Sequence, residues 1–267
     1  MASSNHTLWE NAMPERDFEV ISISSDSSDE DTPSFAMSPI VTLVVGDGKV
    51  EYTAHRQLLV DKCPFFAKCL TSGTKEANTN VVTLPEDDAD TVRHFIDFIY
   101  HNHVDFTKER NGFGRMKAYA LAEKFGMQVW QNKLMNSLMK FWKMYFVQPA
   151  EVSWILDNIH ESCPLHRLAL DQFSFQAAQR FEGAVESSER EEREYHDGVD
   201  ALCMKEKFSA SRHVREAMRY HNDSKAIQPA EQRCRYHVHP EGETCSRKGR
   251  VRKGKDNGSR KRQRTTH

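Results

Sequence analysis

Cys234, His237, His239 and Cys245 stand in the spacing C-x2-H-x-H-x5-C near one end of the chain. Two thiolates and two imidazoles are a donor set that a closed tetrahedral zinc site takes. A turn at Pro240–Gly242 can bring Cys245 back toward the first ligands. His237 and His239 are only two residues apart, where paired ligands usually stand three to five apart. A polar linker that happens to hold two cysteines and two histidines is therefore the other reading. Zinc, if bound, would order a segment otherwise poor in core residues; no other cofactor is expected. His160, Cys163 and His166 form a second group, but Pro164 marks a helix boundary inside it, with Leu165, Leu168 and Ala169 packing behind.

Catalytic spacings are missing from the sequence. It contains no G-x-S-x-G, no H-E-x-x-H and no glycine-rich loop ending in Gly-Lys-Ser/Thr. Gly112-Phe113-Gly114 lacks the third glycine and the preceding strand of a dinucleotide fingerprint. The expectation is a protein that is not an enzyme.

Two terminal segments carry recognition chemistry instead. Val20, Ile21 and Ile23 precede Asp26, Asp29, Glu30 and Asp31, with Ser24, Ser25, Ser27 and Ser28 between them. The run resembles a SUMO-interacting motif: an extended β-branched segment adds to a sheet edge, and the acids set its direction against a basic rim. Phosphorylation would add about -1.5 to -2 charge at each serine. A plain acidic arm, or a strand docking on its own domain, is the alternative. At the other end, the last 22 residues hold ten Lys/Arg against Asp256. Arg260, Lys261, Arg262 and Arg264 read as a nuclear localisation signal. Without interleaved aromatics, such a tail would contact nucleic acid only non-specifically.

The elements between these ends follow from pattern. Of 267 residues, 38% are hydrophobic and 28% charged, so part of the chain is expected to stay outside any core. Ile40–Val45 is a β-branched run, Gly46-Asp47-Gly48 a turn and Val50–Thr53 its partner strand. Pro64 opens a helix, Val81–Leu84 is a short strand ended by Pro85, and Asp87 or Asp88 caps a helix with Val92, Phe95, Ile96 and Ile99 on one face. A further helix ends near Gly126, and the next carries Leu134, Leu138, Phe141 and Tyr145 on one face. The order ββαα-β-ααα predicts an α+β fold, a small mixed sheet capped by helices.

These residues resemble a known family. Val41-Thr42-Leu43-Val44-Val45-Gly46, Tyr52-Thr53-Ala54-His55-Arg56-Gln57-Leu58-Leu59, Pro64-Phe65-Phe66, Lys75-Glu76, Val82-Thr83-Leu84 and Phe95-Ile96-Asp97-Phe98-Ile99-Tyr100 follow the BTB/POZ signature in order and spacing. The short arm and charged extension are similar to fungal BTB proteins. The resemblance implies that His55 is structural, at the start of the helix after the hairpin. It also implies homo- or hetero-dimerisation, with cullin-type ubiquitin ligase adaptors and co-repressor recruiters among its members. Where transcription-factor members carry an aspartate before the first strand, this chain has Ser38-Pro39-Ile40, and Arg56 stands in the place of the basic partner. Lys75-Glu76 falls at the loop linked to cullin contact.

Five segments are expected: an acidic arm at 1–37, a BTB/POZ domain at 38–145, a helical extension at 146–182, a charged linker or helical region at 183–245 and a basic tail at 246–267. The run Glu189–Glu194 suits a solvated helix and a disordered linker equally. With no basic-then-apolar start and no run of ~18 apolar residues, neither a signal peptide nor a membrane span is expected. The six cysteines are then expected as thiols or metal ligands of an intracellular protein. The expected function is a nuclear scaffold for protein partners. A substrate adaptor of a cullin-type ligase is the first alternative, and a DNA-associated transcription regulator using the basic tail the second.

Overall fold

Six apolar or β-branched residues form strand β1 (Ile40–Val45), and a turn folds the chain back into β2 (Val50–His55). These elements belong to a computed structural model that describes residues 37–71, 73–181, 188–223, 225–239, 243–245 and 252–253. At the turn Gly46 sits at φ +66°, and a side chain there would be strained whatever the space. The strands pair antiparallel from Ile40↔His55 to Val45↔Val50. β3 (Val81–Leu84) then joins β1 in parallel, Thr42↔Val81 to Val45↔Leu84, giving a mixed sheet in the order β2-β1-β3. Alternation fixes the register: Val41, Leu43, Val45, Ala54, Val82 and Leu84 all point inward and are buried. A one-residue slip of β1 would turn its buried trio to water, at roughly 1.5–3 kcal/mol per large side chain.

The inward face packs on helices. α1 (Arg56–Lys62), α2 (Pro64–Thr71) and α3 (Lys75–Thr79) connect β2 to β3. α4 (Ala89–His101) starts at Asp88, whose carboxylate accepts from Thr91 N and Thr91 Oγ1 at 3.1 and 2.7 Å. α5 (Phe113–Lys124) ends before Gly126 at φ +70°, and α6 (Gln128–Met144) follows. Phe66, Phe95, Phe125 and Trp130 meet at ring-centroid distances of 5.1–5.8 Å and form the aromatic centre of this core. The expected face of α6 holds for Leu134, Leu138 and half-buried Phe141. Tyr145 departs from it: the helix ends at Met144, and Tyr145 turns extended and exposed, its ring against Phe141.

The remaining helices belong to the same compact unit. They are α7 (Pro149–Asn158), α8 (Pro164–Phe181), α9 (Glu189–Cys203), α10 (Ala210–Asn222), a 3₁₀ turn at Pro229–Glu231, and α11 (Arg233–Tyr236). A two-residue pairing of β4 (Glu243–Thr244) with β5 (Arg252–Lys253) completes the described elements. α8 is the hub. Its buried amides tie neighbours together: Gln176 Oε1 accepts from Val147 N at 2.7 Å, Gln172 Oε1 accepts from Ala230 N at 3.0 Å, and both Nε2 groups donate to Trp142 O. Pro164 does start this helix, and Leu165, Leu168 and Ala169 are buried. Of the two readings open for Glu189–Glu194, the structure takes helix. Ser188 caps α9, exchanging hydrogen bonds with Glu191, and Arg180 pairs with Glu192 at 2.8 Å. No helix among the described residues is long and apolar enough to cross a membrane.

Candidate interaction surfaces and Cys/His centre

The sheet has an outward face as well as a buried one. Register places Ile40, Thr42 and Val44 of β1 beside Val81 and Thr83 of β3, and beside His55, Thr53 and Glu51 of β2. Ile40 and Val81 are 48% and 41% exposed. Six of these eight side chains are β-branched and uncharged, and Glu51 alone is acidic. At one end His55 meets Tyr100 of α4; Thr42 and Val44 are half-buried, and Thr53 and Thr83 are exposed.

The motif that opens α1 is spent internally. His55 caps the helix without a side-chain cap bond; Tyr100 Oη lies 2.7 Å from its Nδ1 and accepts from its backbone N at 3.0 Å. Arg56 donates to Ala77 O at 3.1 Å, to Asn80 Oδ1 at 2.9 Å, and to Leu70 O. Asn80 stands in the left-handed region at the end of α3, so Arg56 stitches α1 to α2 and to the entrance of β3. Its guanidinium is thus satisfied within the chain. Ser38 is turned inward too, accepting from Gln57 N at 3.0 Å. Lys75 and Glu76 form the first turn of α3 behind the Thr74 cap, Lys75 exposed and Glu76 half-buried. Local hydrogen bonds, from its own amide and from Thr74, hold the Glu76 carboxyl below the usual carboxylate range.

The four Cys/His residues meet on the flank of α6. Sγ of Cys234 and of Cys245 and a nitrogen of His239 lie within 4.8 Å of one another. His239 Nε2 is 3.2 Å from Cys245 Sγ and 3.7 Å from Cys234 Sγ. His237 Nδ1 reaches Cys245 Sγ at 2.9 Å, and its Nε2 faces Asn136 Oδ1 at 3.1 Å. Cys245 N donates to Cys234 Sγ at 3.2 Å. Between the two histidines, Val238 is held at both backbone groups by Asn132. Tyr236, wholly buried, donates to Asp171 Oδ2 at 2.8 Å, and Arg235 donates to the same oxygen at 3.0 Å. By contrast, Cys163 sits apart from its flanking histidines, buried at 3.8 Å from Tyr119 Oη; burial pushes its thiol pKa up.

Three features escaped the sequence. Glu151 of α7 is 1% exposed, accepting from Gly112 N at 2.6 Å, Gln148 N at 3.1 Å and Trp142 Nε1 at 3.1 Å. Burial raises its carboxyl above the ordinary value against the pull of these donors. Beside α6, two neighbouring depressions of about 370 and 580 Å³ share Phe106, Ser137 and Lys140, with an apolar floor at Phe98 and Leu134 and Lys133 on the rim. Between α8 and α10, a cleft of about 590 Å³ is lined by Ser174 and His213, whose Oγ and Nδ1 are 2.8 Å apart. A Ser–His contact has the form of a nucleophile and base. Ser174, however, is 3% exposed, and burial lowers His213 to about 4, so the pair acts as a packing hydrogen bond. None of these pairings shows a periodicity; each joins residues from separate elements.

Val20, Ile21, Ile23, Asp26, Asp29, Glu30 and Asp31 lie outside the described residues, as do Arg260, Lys261, Arg262 and Arg264.

With this geometry in view, residues 41–141 match the family model of the BTB/POZ domain. The match runs from β1 to Phe141 of α6. No curated protein matches the chain.

Proposed function

We propose, from the BTB/POZ domain that residues 41–141 match, that the protein is a nuclear scaffold that self-associates and bridges protein partners. BTB domains are interaction modules, and the observation that carries self-association here is the β-branched outward sheet face that includes Thr42, Val44 and Thr83. A β-branched face with Glu51 as its one acid suits a two-fold contact with its own copy, since like meets like across such an axis. The closing of Arg56 onto internal acceptors favours that face over a charged pocket as the contact. The acidic segment 20–31, with its resemblance to a SUMO-interacting motif, supports recruitment of SUMO-conjugated proteins. The basic run 260–264 supports nuclear import.

Self-association is tested by sedimentation of the full-length chain. A dimer mass is expected, and Val44→Glu should return the monomer with unchanged circular dichroism. A wild-type monomer at tens of micromolar, or a dimer that survives Val44→Glu, would remove the sheet face from the reading. The partner class is tested by affinity purification of the tagged chain beside a variant lacking residues 1–36. SUMO-conjugated nuclear proteins lost only with the arm support the scaffold. A cullin retained in both makes the protein a ligase adaptor. Sequence-selective, salt-sensitive DNA binding would favour a transcription regulator.

A further inference from the structure

We propose that Cys234, His237, His239 and Cys245 hold one zinc ion in a closed tetrahedral site that fastens the C-terminal segment to α6. Ligand bonds near 2.3 Å to sulfur and 2.0–2.1 Å to nitrogen set neighbouring S and N donors about 3.5 Å apart. Three of the four S···N pairs are 3.7, 3.2 and 2.9 Å apart, spread around that value: Cys234, His239 and Cys245 form the close group, and His237 joins it through Cys245.

The convergence of two sulfurs and two imidazoles on one point suits a cation. Cys245 Sγ meets two imidazole nitrogens, and one of these, His239 Nε2, also meets Cys234 Sγ. Asn136 Oδ1 faces His237 Nε2, on the far side of the ring from the Nδ1 that points at Cys245. A cation among two thiolates and two imidazoles serves all four donors. The outer partners also suit a metal: the Asn136 contact orients a ligating imidazole, and the Cys245 amide donates to the Cys234 sulfur.

The local backbone explains why the two-residue histidine spacing works. α11 supplies Cys234 from a helical turn, and the chain becomes extended at His237 (φ -83°, ψ 149°). In an extended segment residues i and i+2 point the same way, so His237 and His239 share a face while Val238 turns its backbone to Asn132. The spacing of three to five belongs to histidines on a helix. With four protein donors no coordination position is left for substrate, which assigns the ion a structural role. Mixed sulfur and imidazole donors in this geometry suit zinc.

The test uses full-length protein purified in reducing buffer without chelator. Metal analysis should give about one zinc per chain, falling to near zero in Cys234→Ser and in Cys245→Ser. Cys203→Ser, an exposed thiol away from the cluster, should keep its zinc. Cobalt added to metal-stripped wild-type protein should produce the strong visible bands of a tetrahedral thiolate–imidazole site, a readout independent of whether the serine variants fold. Zinc content near zero together with no such cobalt spectrum would overturn the proposal. So would full zinc content in both folded serine variants, or a Cys234–Cys245 disulfide in the intact mass.

Discussion

Asn132 and Val238, 106 residues apart in sequence, exchange two hydrogen bonds: Asn132 Nδ2 donates to Val238 O at 2.7 Å, and Val238 N donates to Asn132 Oδ1 at 2.8 Å. A side-chain amide thereby takes the place of a neighbouring strand. One turn further along α6, Asn136 holds His237. The helix closing the BTB/POZ domain therefore doubles as the docking rail for the residues around the Cys/His centre.

Removing the rail should loosen the segment without melting the domain. Each net hydrogen bond contributes about 0.5–1.5 kcal/mol, so Asn132→Ala should raise opening of residues 236–239 by about tenfold or more. Amide hydrogen exchange at Val238 reads this directly. The main unfolding transition should hardly move, because the aromatic centre at Phe66, Phe95 and Trp130 is untouched. Unchanged exchange would mean that the other anchors, Tyr236 and Arg235 on Asp171 and Asn136 on His237, suffice to hold the segment.

Arg56 should behave as a structural residue. It serves three acceptors on three successive stretches of chain, and lysine's single ammonium cannot reproduce that fork. Arg56→Ala should cost about 2–3 kcal/mol in urea unfolding, since buried carbonyls lose their donor. Arg56→Lys should recover less than half of that loss. The oligomeric mass of folded Arg56→Lys should match wild type; a selective loss of the dimer would give Arg56 an interface role.

The three-stranded sheet was legible because β-branched runs, Gly46 and Pro85 each act locally. The caps at Asp88 and Gly126 could be placed for the same reason. Arg56 was legible as a position but not as a role, since its acceptors lie 14 to 24 residues away. The same holds for α8, whose buried Gln172 and Gln176 look like surface residues until their distant partners are known. The convergence of Cys234, His237, His239 and Cys245 depends on a switch from helix to extended chain at His237, which ligand spacings drawn from helices do not encode.

Gly112 is a close contact between the domain and α7. A Cβ there would meet Glu151 Oε1 at 2.8 Å and Trp142 Nε1 at 3.3 Å, so an added methyl must push the carboxylate off its place on this amide. Gly112→Ala should destabilise by about 1–3 kcal/mol, the usual range for overpacking a filled site. Urea unfolding followed by tryptophan fluorescence would measure it, with Trp142 reporting the displaced carboxylate. Gly48→Ala, in open space at the hairpin turn, is the control and should change little.

His213 should make stability fall in mild acid. Its ring is stacked on Phe173 at 4.8 Å, and burial lowers it from 6.5 to about 4. Between those values the unfolded chain binds a proton that the folded chain refuses, so stability drops as pH falls from about 6.5 toward 4. The full shift would correspond to about 3 kcal/mol, reduced by the partial exposure of the ring. Glu151 works in the opposite sense: its carboxyl is raised, so the fold gains as pH falls toward the ordinary 4.5. The two are separated by comparing wild type with His213→Asn in urea unfolding at pH 7 and pH 5. The wild type should lose more stability over that interval, and equal losses would mean that His213 is already charged in the fold.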